Sequence, residues 1–383
     1  MLTICFFAAQ YLPTVGGVER YTCNLARQVA ARGHRAFVVT SQLPGLPVQE
    51  TDPHGVKILR VPSWLLMKGR FPLLKPGPAL GRILQPLWDA KPDLLVVNTR
   101  FYPLSLYAAA QGRLRGISTI VVDHSTGHLP MGSALLNAVG ACYEHLAAAF
   151  LRLCKPQFYG VSQGVCRWLT HFGIQPAGTL YNAVNPQEIQ RIVRDPNAVD
   201  WRARLGLPAR CRLVVFVGRM IAEKGVEELA QAFVKAQLQN CVLLIAGDGP
   251  LREHLIAQQL PGVYCLGSVP HDQVLQLLSQ ADLYCLPTYY AEGFPTTFLE
   301  AAACGCPIVT TRTGGSDELL PSEEYGLQLD SPDPTLWADA LCRCLNDDAW
   351  RTRASQNTLT RLEHHFTWDT VADTLLALAE QQA

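Results

Sequence analysis

Two glutamates bracket a short bend in Ala291-Glu292-Gly293-Phe294-Pro295-Thr296-Thr297-Phe298-Leu299-Glu300, and the chain then runs into Ala301-Ala302-Ala303. Proline suits the first position of a helix, so a helix is expected to open near Pro295. Backbone N–H groups of Thr296, Thr297 and Phe298 then lack acceptors within the helix, which makes its end a place for phosphate. Glu300 falls one turn deeper on the threonine face, where it can accept from ribose hydroxyls. The Gly293-Phe294 bend can turn Glu292 toward a sugar. Two plainer readings compete: Thr297 to Glu300 fits a capping box, and Glu292 fits a solvated loop. A second element, Gly218-Arg219 to Lys224-Gly225, sets two cations after the apolar run 213–217. Such a pair can stabilise a departing diphosphate without a metal. No Asp-x-Asp follows a strand-like run, so a divalent-cation route has no visible ligands, and the expected cofactor is none.

Nearer the N-terminus, Gly16-Gly17-Val18-Glu19 lies where an apolar run gives way to a helical pattern. Paired glycines allow a backbone to approach a ligand closely. The spacing is not Gly-x-Gly-x-x-Gly, so a nicotinamide dinucleotide lacks its fingerprint.

These residues need a scaffold that holds loops at strand ends. Short Val/Ile/Leu-rich runs alternate with helical patterns along the chain, as in RAFVVTS (35–41), DLLVVNT (93–99), LVVFVGR (213–219) and CVLLIAGDG (241–249). Near-continuous apolar strands followed by helices predict parallel sheets covered on both faces. A Pro/Asn/Asp-rich interval near 182–200 interrupts the alternation before it restarts. The expected fold is therefore α/β, two Rossmann-like domains facing a cleft with ligands at the carboxyl ends of strands.

At 383 residues the chain suits two domains. Lys+Arg and Asp+Glu are both 32, and this balance argues against a nucleic-acid partner, which needs a basic excess. The 13 cysteines include no Cys-x-x-Cys and are expected to be buried reduced thiols of a cytoplasmic protein. No leader is expected. The longest apolar stretch, 134–154, carries Glu144, His145 and Arg152 and is expected not to span a bilayer.

With these elements in order, the chain resembles glycosyltransferase family 4, retaining nucleotide-sugar enzymes of the GT-B fold. The resemblance covers nearly the whole length. The family's E-x7-E element matches Glu292 to Glu300, and its Gly-x-Pro matches Gly305 to Pro307. Its Gly-Arg…Lys-Gly element matches Gly218 to Gly225, and its Ala-Gly-Asp-Gly-Pro turn matches Ala246 to Pro250. Its Gly-Gly-x-Glu matches Gly16 to Glu19, and its Gly-Gly…Glu-Leu matches Gly314 to Leu319. The resemblance implies that Arg219 and Lys224 bind the donor diphosphate and that Glu292 supports positive charge at the anomeric carbon. Gly293 and the backbone of Phe294, Thr296 and Thr297 would complete the cradle, and Glu300 would hold the ribose. His124 matches a histidine near the reacting centre. Gly17 would approach the phosphate, with Gly16 and Glu19 on the acceptor side, and base recognition would fall to backbone near Val269. Asn185 departs from the family, standing where an acid is common.

The implied domains are 1–183 for the acceptor, 184–365 for the donor, and a helix 366–383 crossing back. The expected partners are a nucleotide sugar and a glycan or lipid-linked glycan. Residues 62–88 mix Trp64, Leu66, Met67 and Phe71 with Lys68, Arg70 and Lys75, which fits either peripheral association with an inner membrane face or a partly buried loop lining the acceptor cleft. Three rivals remain. One is an epimerase or phosphorylase on the same fold, and another is a non-catalytic sugar-nucleotide-binding subunit. The third is a serine hydrolase using Ser162 of Gly160-Val-Ser162-Gln-Gly164.

Overall fold

The computed structural model describes residues 1–14, 16–129 and 132–382, so Val15 of the first glycine turn lies outside the described residues. The chain divides into two compact units, Met1–Asn182 with Trp368 onward, and Ala183–Thr367.

Unit 1 holds β1 (Thr3–Ala8), β2 (Arg35–Ser41), β3 (Gln49–Thr51), β4 (Lys57–Val61), β5 (Ser63–Leu66), β6 (Phe71–Leu74), β7 (Leu94–Asn98), β8 (Ser118–Asp123), β9 (Gln157–Gly160) and β10 (Gly178–Thr179). Eight of these form one sheet in the order β10-β9-β8-β7-β1-β2-β4-β3, parallel except for β3. Its central strands are buried on both faces, which is why they read as unbroken apolar runs. The helix Trp368–Gln382 packs on this unit, with Trp368 edge-on to Tyr21 at 5.5 Å and Arg32 paired to Asp369 at 2.8 Å.

Unit 2 holds β11 (Arg212–Val217), β12 (Cys241–Ala246), β13 (Val263–Gly267), β14 (Leu283–Leu286), β15 (Ile308–Thr311) and β16 (Leu327–Leu329). They form an all-parallel sheet in the order β13-β12-β11-β14-β15-β16. The chain winds outward one way from β11 and then the other way from β14, so the switch point lies between these strands. Loops there part instead of covering the sheet edge, and that gap is where doubly wound folds take ligands. Unit 1 has the same device between β1 and β7.

The structure replaces a loop reading of residues 62–88 with two elements. These are the antiparallel hairpin β5–β6 and then a helix, Pro78–Asp89, whose Leu80, Leu84 and Leu87 are buried. Proline at the helix start and a three- to four-residue leucine spacing were the available signals. The helix Ala134–Cys154 is long and apolar enough to cross a membrane by length and composition alone, and its Glu144 is buried in an ion pair with Arg100. Only its inner face is tied to unit 1, through Glu144, Ala147, Ala148 and Leu151.

Candidate active site

In unit 2, every polar residue singled out around the E-x7-E element lies at or near the carboxyl ends of β11, β13 and β14. Arg219 follows β11, and Lys224 ends a short 3-10 turn, Ala222–Lys224. This turn is latched to the segment after β14: Tyr289 N donates to Glu223 O at 2.9 Å, and Thr288 Oγ1 donates to the same oxygen at 3.1 Å. The turn at 246–250 braces it from the other side, with Met220 N donating to Asp248 O at 2.9 Å and Leu251 N to Met220 O at 3.1 Å. The Tyr290 ring lies 5.7 Å from the Arg219 guanidinium and 5.5 Å from Lys224 Nζ. An aromatic face beside two cations eases their mutual repulsion.

Lys224 Nζ forms an ion pair with Glu292, both side chains being only 13% and 14% exposed. The two residues assigned to different parts of a donor are therefore each other's partners. Lysine carries three donors, so the pair leaves Lys224 with N–H groups for a diphosphate.

The helix opens at Thr296 and runs to Ala303, with Pro295 as its N-cap. This overturns the capping-box reading, which needs Thr297 in the cap position. Thr297 instead accepts from the buried Tyr284 hydroxyl at 2.8 Å. Gly293 and Phe294 are buried, and the Phe294 ring packs edge-on against Phe366 at 5.3 Å. Glu300 is buried, and one of its oxygens meets His271 Nε2 at 2.9 Å. His271 was missed in the sequence because 29 residues separate it from Glu300. It opens the helix His271–Gln280 two residues after Val269, so the strand end carrying Val269 and the Glu300 carboxylate are joined through this contact.

In unit 1, His124 directly follows β8, while Gly17 and Glu19 lie in the first turn of the helix after β1. Gly17 opens the helix Gly17–Ala31, with Gly16 as its cap. The Glu19 carboxylate folds back to Gly16, where a side chain would lie 2.3 Å from its oxygen, so a larger residue at 16 would displace that flexible carboxylate. Burial raises Glu19 above the usual carboxylate range. Nothing lies within 4 Å of where a Gly17 side chain would stand, so unit 1 itself does not require glycine there.

His124 is held by a relay. Its Nε2 lies 3.0 Å from Asn98 Oδ1, Asn98 Nδ2 donates to Thr22 Oγ1 at 3.0 Å, and Thr22 donates to Val18 O at 2.8 Å. Because the last acceptor is a carbonyl, each donor upstream is fixed, and His124 carries its proton on Nε2. Its Nδ1 keeps a lone pair. Burial pushes its pKa down to about 3, so the ring is neutral at physiological pH.

Ser162 is fully buried, caps the helix Gln163–Thr170 with φ −161°, and accepts from Val165 N at 3.2 Å. A nucleophile elbow holds its serine exposed on a strained turn. The Ser162 hydrolase reading is thereby overturned. Asn185 likewise caps a helix, accepting from Glu188 N at 3.1 Å.

The doubly wound sheets and cationic strand ends define a GT-B architecture, and comparison with known proteins agrees. The family described as glycosyl transferases group 1 matches residues 198–361, and that described as glycosyltransferase family 4 matches 15–188. Glycogen synthase of Mycobacterium tuberculosis is 34% identical over 97% of this chain and 92% of its own. An uncharacterised glycosyltransferase of Methanocaldococcus jannaschii, MJ1607, is 31% identical over 50% of this chain, which spans about half (51%) of that relative. Among solved structures, sucrose-phosphate synthase from Thermosynechococcus elongatus aligns over 100% of this chain and 99% of its own, with TM-score 0.73 and 23% identity. Anabaena HepE in complex with UDP aligns over 99% of this chain and 100% of its own, with TM-score 0.76 and 17% identity. The chain belongs to the group 1, family 4 glycosyltransferases.

Proposed function

We propose that the chain transfers a hexosyl group from a nucleoside diphosphate sugar to a glycan or lipid-linked glycan, with anomeric retention and no metal at the diphosphate. The observation that carries this reading is the grouping of Arg219, Lys224 and Glu292 at the switch point of unit 2. Arg219 and Lys224 take the leaving diphosphate and Glu292 faces the developing charge at the anomeric carbon. Glu300, steadied by His271, takes the ribose. A donor phosphate oxygen accepts the acceptor's proton, so no protein nucleophile is needed. His124 offers Nδ1 to a sugar hydroxyl, and Gly16, Gly17 and Glu19 border the acceptor. A cavity of about 280 Å³ at the ends of β1 and β2, lined by Tyr11, Thr14, Leu65 and Pro72, supports a place for that acceptor in unit 1.

A calorimetric panel of UDP, GDP, ADP and dTDP against wild type and Glu300→Ala tests the donor site. One nucleotide binding tightly, and weakened in Glu300→Ala, is the expected result; no binding by any of them removes the reading. Nucleotide release that needs an added glycan separates transfer from epimerisation.

The reading includes peripheral attachment to an anionic inner membrane face, in keeping with a lipid-linked acceptor. The support is the exposed Trp64, Leu66 and Met67 of the hairpin, joined through the Phe71–Tyr143 contact at 5.8 Å to the exposed Leu146, Phe150 and Leu153 of the helix Ala134–Cys154. The Lys68 side chain lies outside the described residues. Sedimentation with anionic vesicles should be lost in Leu146→Glu/Leu153→Glu, and retention in that variant refutes the attachment.

A further inference from the structure

We infer that His128, His145 and His171 form a three-imidazole site for a zinc-type divalent cation on unit 1, separate from the donor chemistry. One ring nitrogen from each lies within 4.8 Å of the others. His128 sits four residues past His124, His145 projects from the helix Ala134–Cys154, and His171 caps the end of the helix Gln163–Thr170. Elements far apart in sequence thus converge on one point.

Three features fit a cation here. Tetrahedral zinc with nitrogen ligands at about 2.0–2.1 Å sets those nitrogens roughly 3.3 Å apart. The rings therefore need to draw together by at most about 1.5 Å, within the reach of His145 and His171, which are exposed. Next, the buried His128 Nδ1 makes no hydrogen bond and lies 3.3 Å from the Glu144 carboxylate, an anion placed to favour a cation here. Last, Glu144 belongs to a buried group in which one cation, Arg100, meets two carboxylates, Asp123 and Glu144. The net charge of this group is −1, and an adjacent cation balances it.

A bound cation would tie the segment that follows β8, and with it the approach to His124, to two helices. Its fourth position stays open to water.

The test uses the full chain stripped of metal with a chelator. Zinc titrated by calorimetry is expected to bind one equivalent and to raise the melting temperature. In His145→Asn/His171→Asn the affinity should fall at least about a hundredfold, with the melting temperature of the metal-free chain unchanged. Nucleotide binding to unit 2 serves as the folding control, and His171→Asn alone replaces the double variant if that control fails. Cobalt(II) distinguishes imidazole from the chain's cysteines, one of which, Cys142, is exposed. Tetrahedral d–d bands without a thiolate charge-transfer band support the site. No zinc uptake, uptake that survives in the variants, or a thiolate band overturns it.

Discussion

Replacing Lys224 by methionine separates two jobs that the structure assigns to one side chain. The Lys224–Glu292 pair is nearly enclosed, with side chains 13% and 14% exposed. Removing one member of a buried pair costs about 3–5 kcal/mol, chiefly because the other charge is stranded, and the residual exposure here lowers this to roughly 2–3 kcal/mol. For a unit of this size each kcal/mol lowers the melting temperature by about 2–4 °C, so unit 2 should melt roughly 4–12 °C lower. Lys224→Met/Glu292→Gln strands no charge and should recover most of this loss, giving a coupling of about 2 kcal/mol in the cycle. Nucleotide binding should follow a different pattern. A charged hydrogen bond to phosphate is worth about 1.5–3 kcal/mol, so the dissociation constant of the cognate diphosphate should rise roughly tenfold to over a hundredfold in Lys224→Met. Glu292→Gln removes a negative charge from beside Lys224. It should bind the free diphosphate at least as tightly while its transfer rate collapses. Calorimetry, scanning fluorimetry and a transfer assay on the four proteins read all three quantities. Strict additivity of the melting shifts would refute the pairing argument, and undiminished diphosphate affinity in Lys224→Met would refute the clamp.

Three further outcomes are expected. His124 is held neutral with its pKa near 3, below the unfolded value, so the unfolded chain binds more protons and stability falls as pH drops below about 6.5, by about 1.4 kcal/mol per pH unit. Glu19, raised by burial, acts with the opposite sign, so the His124 share is read by difference: His124→Gln should flatten the acid limb of denaturant-measured stability, and an unchanged slope refutes the neutral assignment. Gly315 has φ +82°, and a Cβ there would lie 2.2 Å from the Phe294 ring; Gly315→Ala should weaken nucleotide binding at least tenfold through displacement of the 292–296 bend, and wild-type affinity measured by calorimetry would show that this bend does not shape the site. Asn98→Ala frees the His124 tautomer, so transfer should slow by roughly tenfold to a hundredfold while diphosphate affinity on unit 2 is unchanged; equal loss of both would make Asn98 merely structural.

The fold class was legible because parallel strands buried on both faces must be apolar throughout, and runs such as 213–217 and 241–246 leave no other reading. The hairpin β5–β6 was not, because its composition records exposed apolar and basic residues, while the strand pairing that holds them is a relation between residues. In the same way, Arg219, Lys224, Glu292 and Glu300 stood out by type and spacing, since a helix opened near proline and cations after a strand have local signatures. Their partners did not. His271 meets Glu300, and Tyr290 lies beside both cations, only because β13 and β14 bring their loops to the same sheet end. Ser162 shows the converse: its motif is local and complete, yet tertiary burial makes its oxygen a helix cap. Sequence by itself determined where the long apolar parallel strands form, which ends carry charge, and the family. Tertiary structure decided which charges pair, where His124 keeps its proton, and that three histidines spread from 128 to 171 meet, because strand order and helix packing act across distances that no local pattern records.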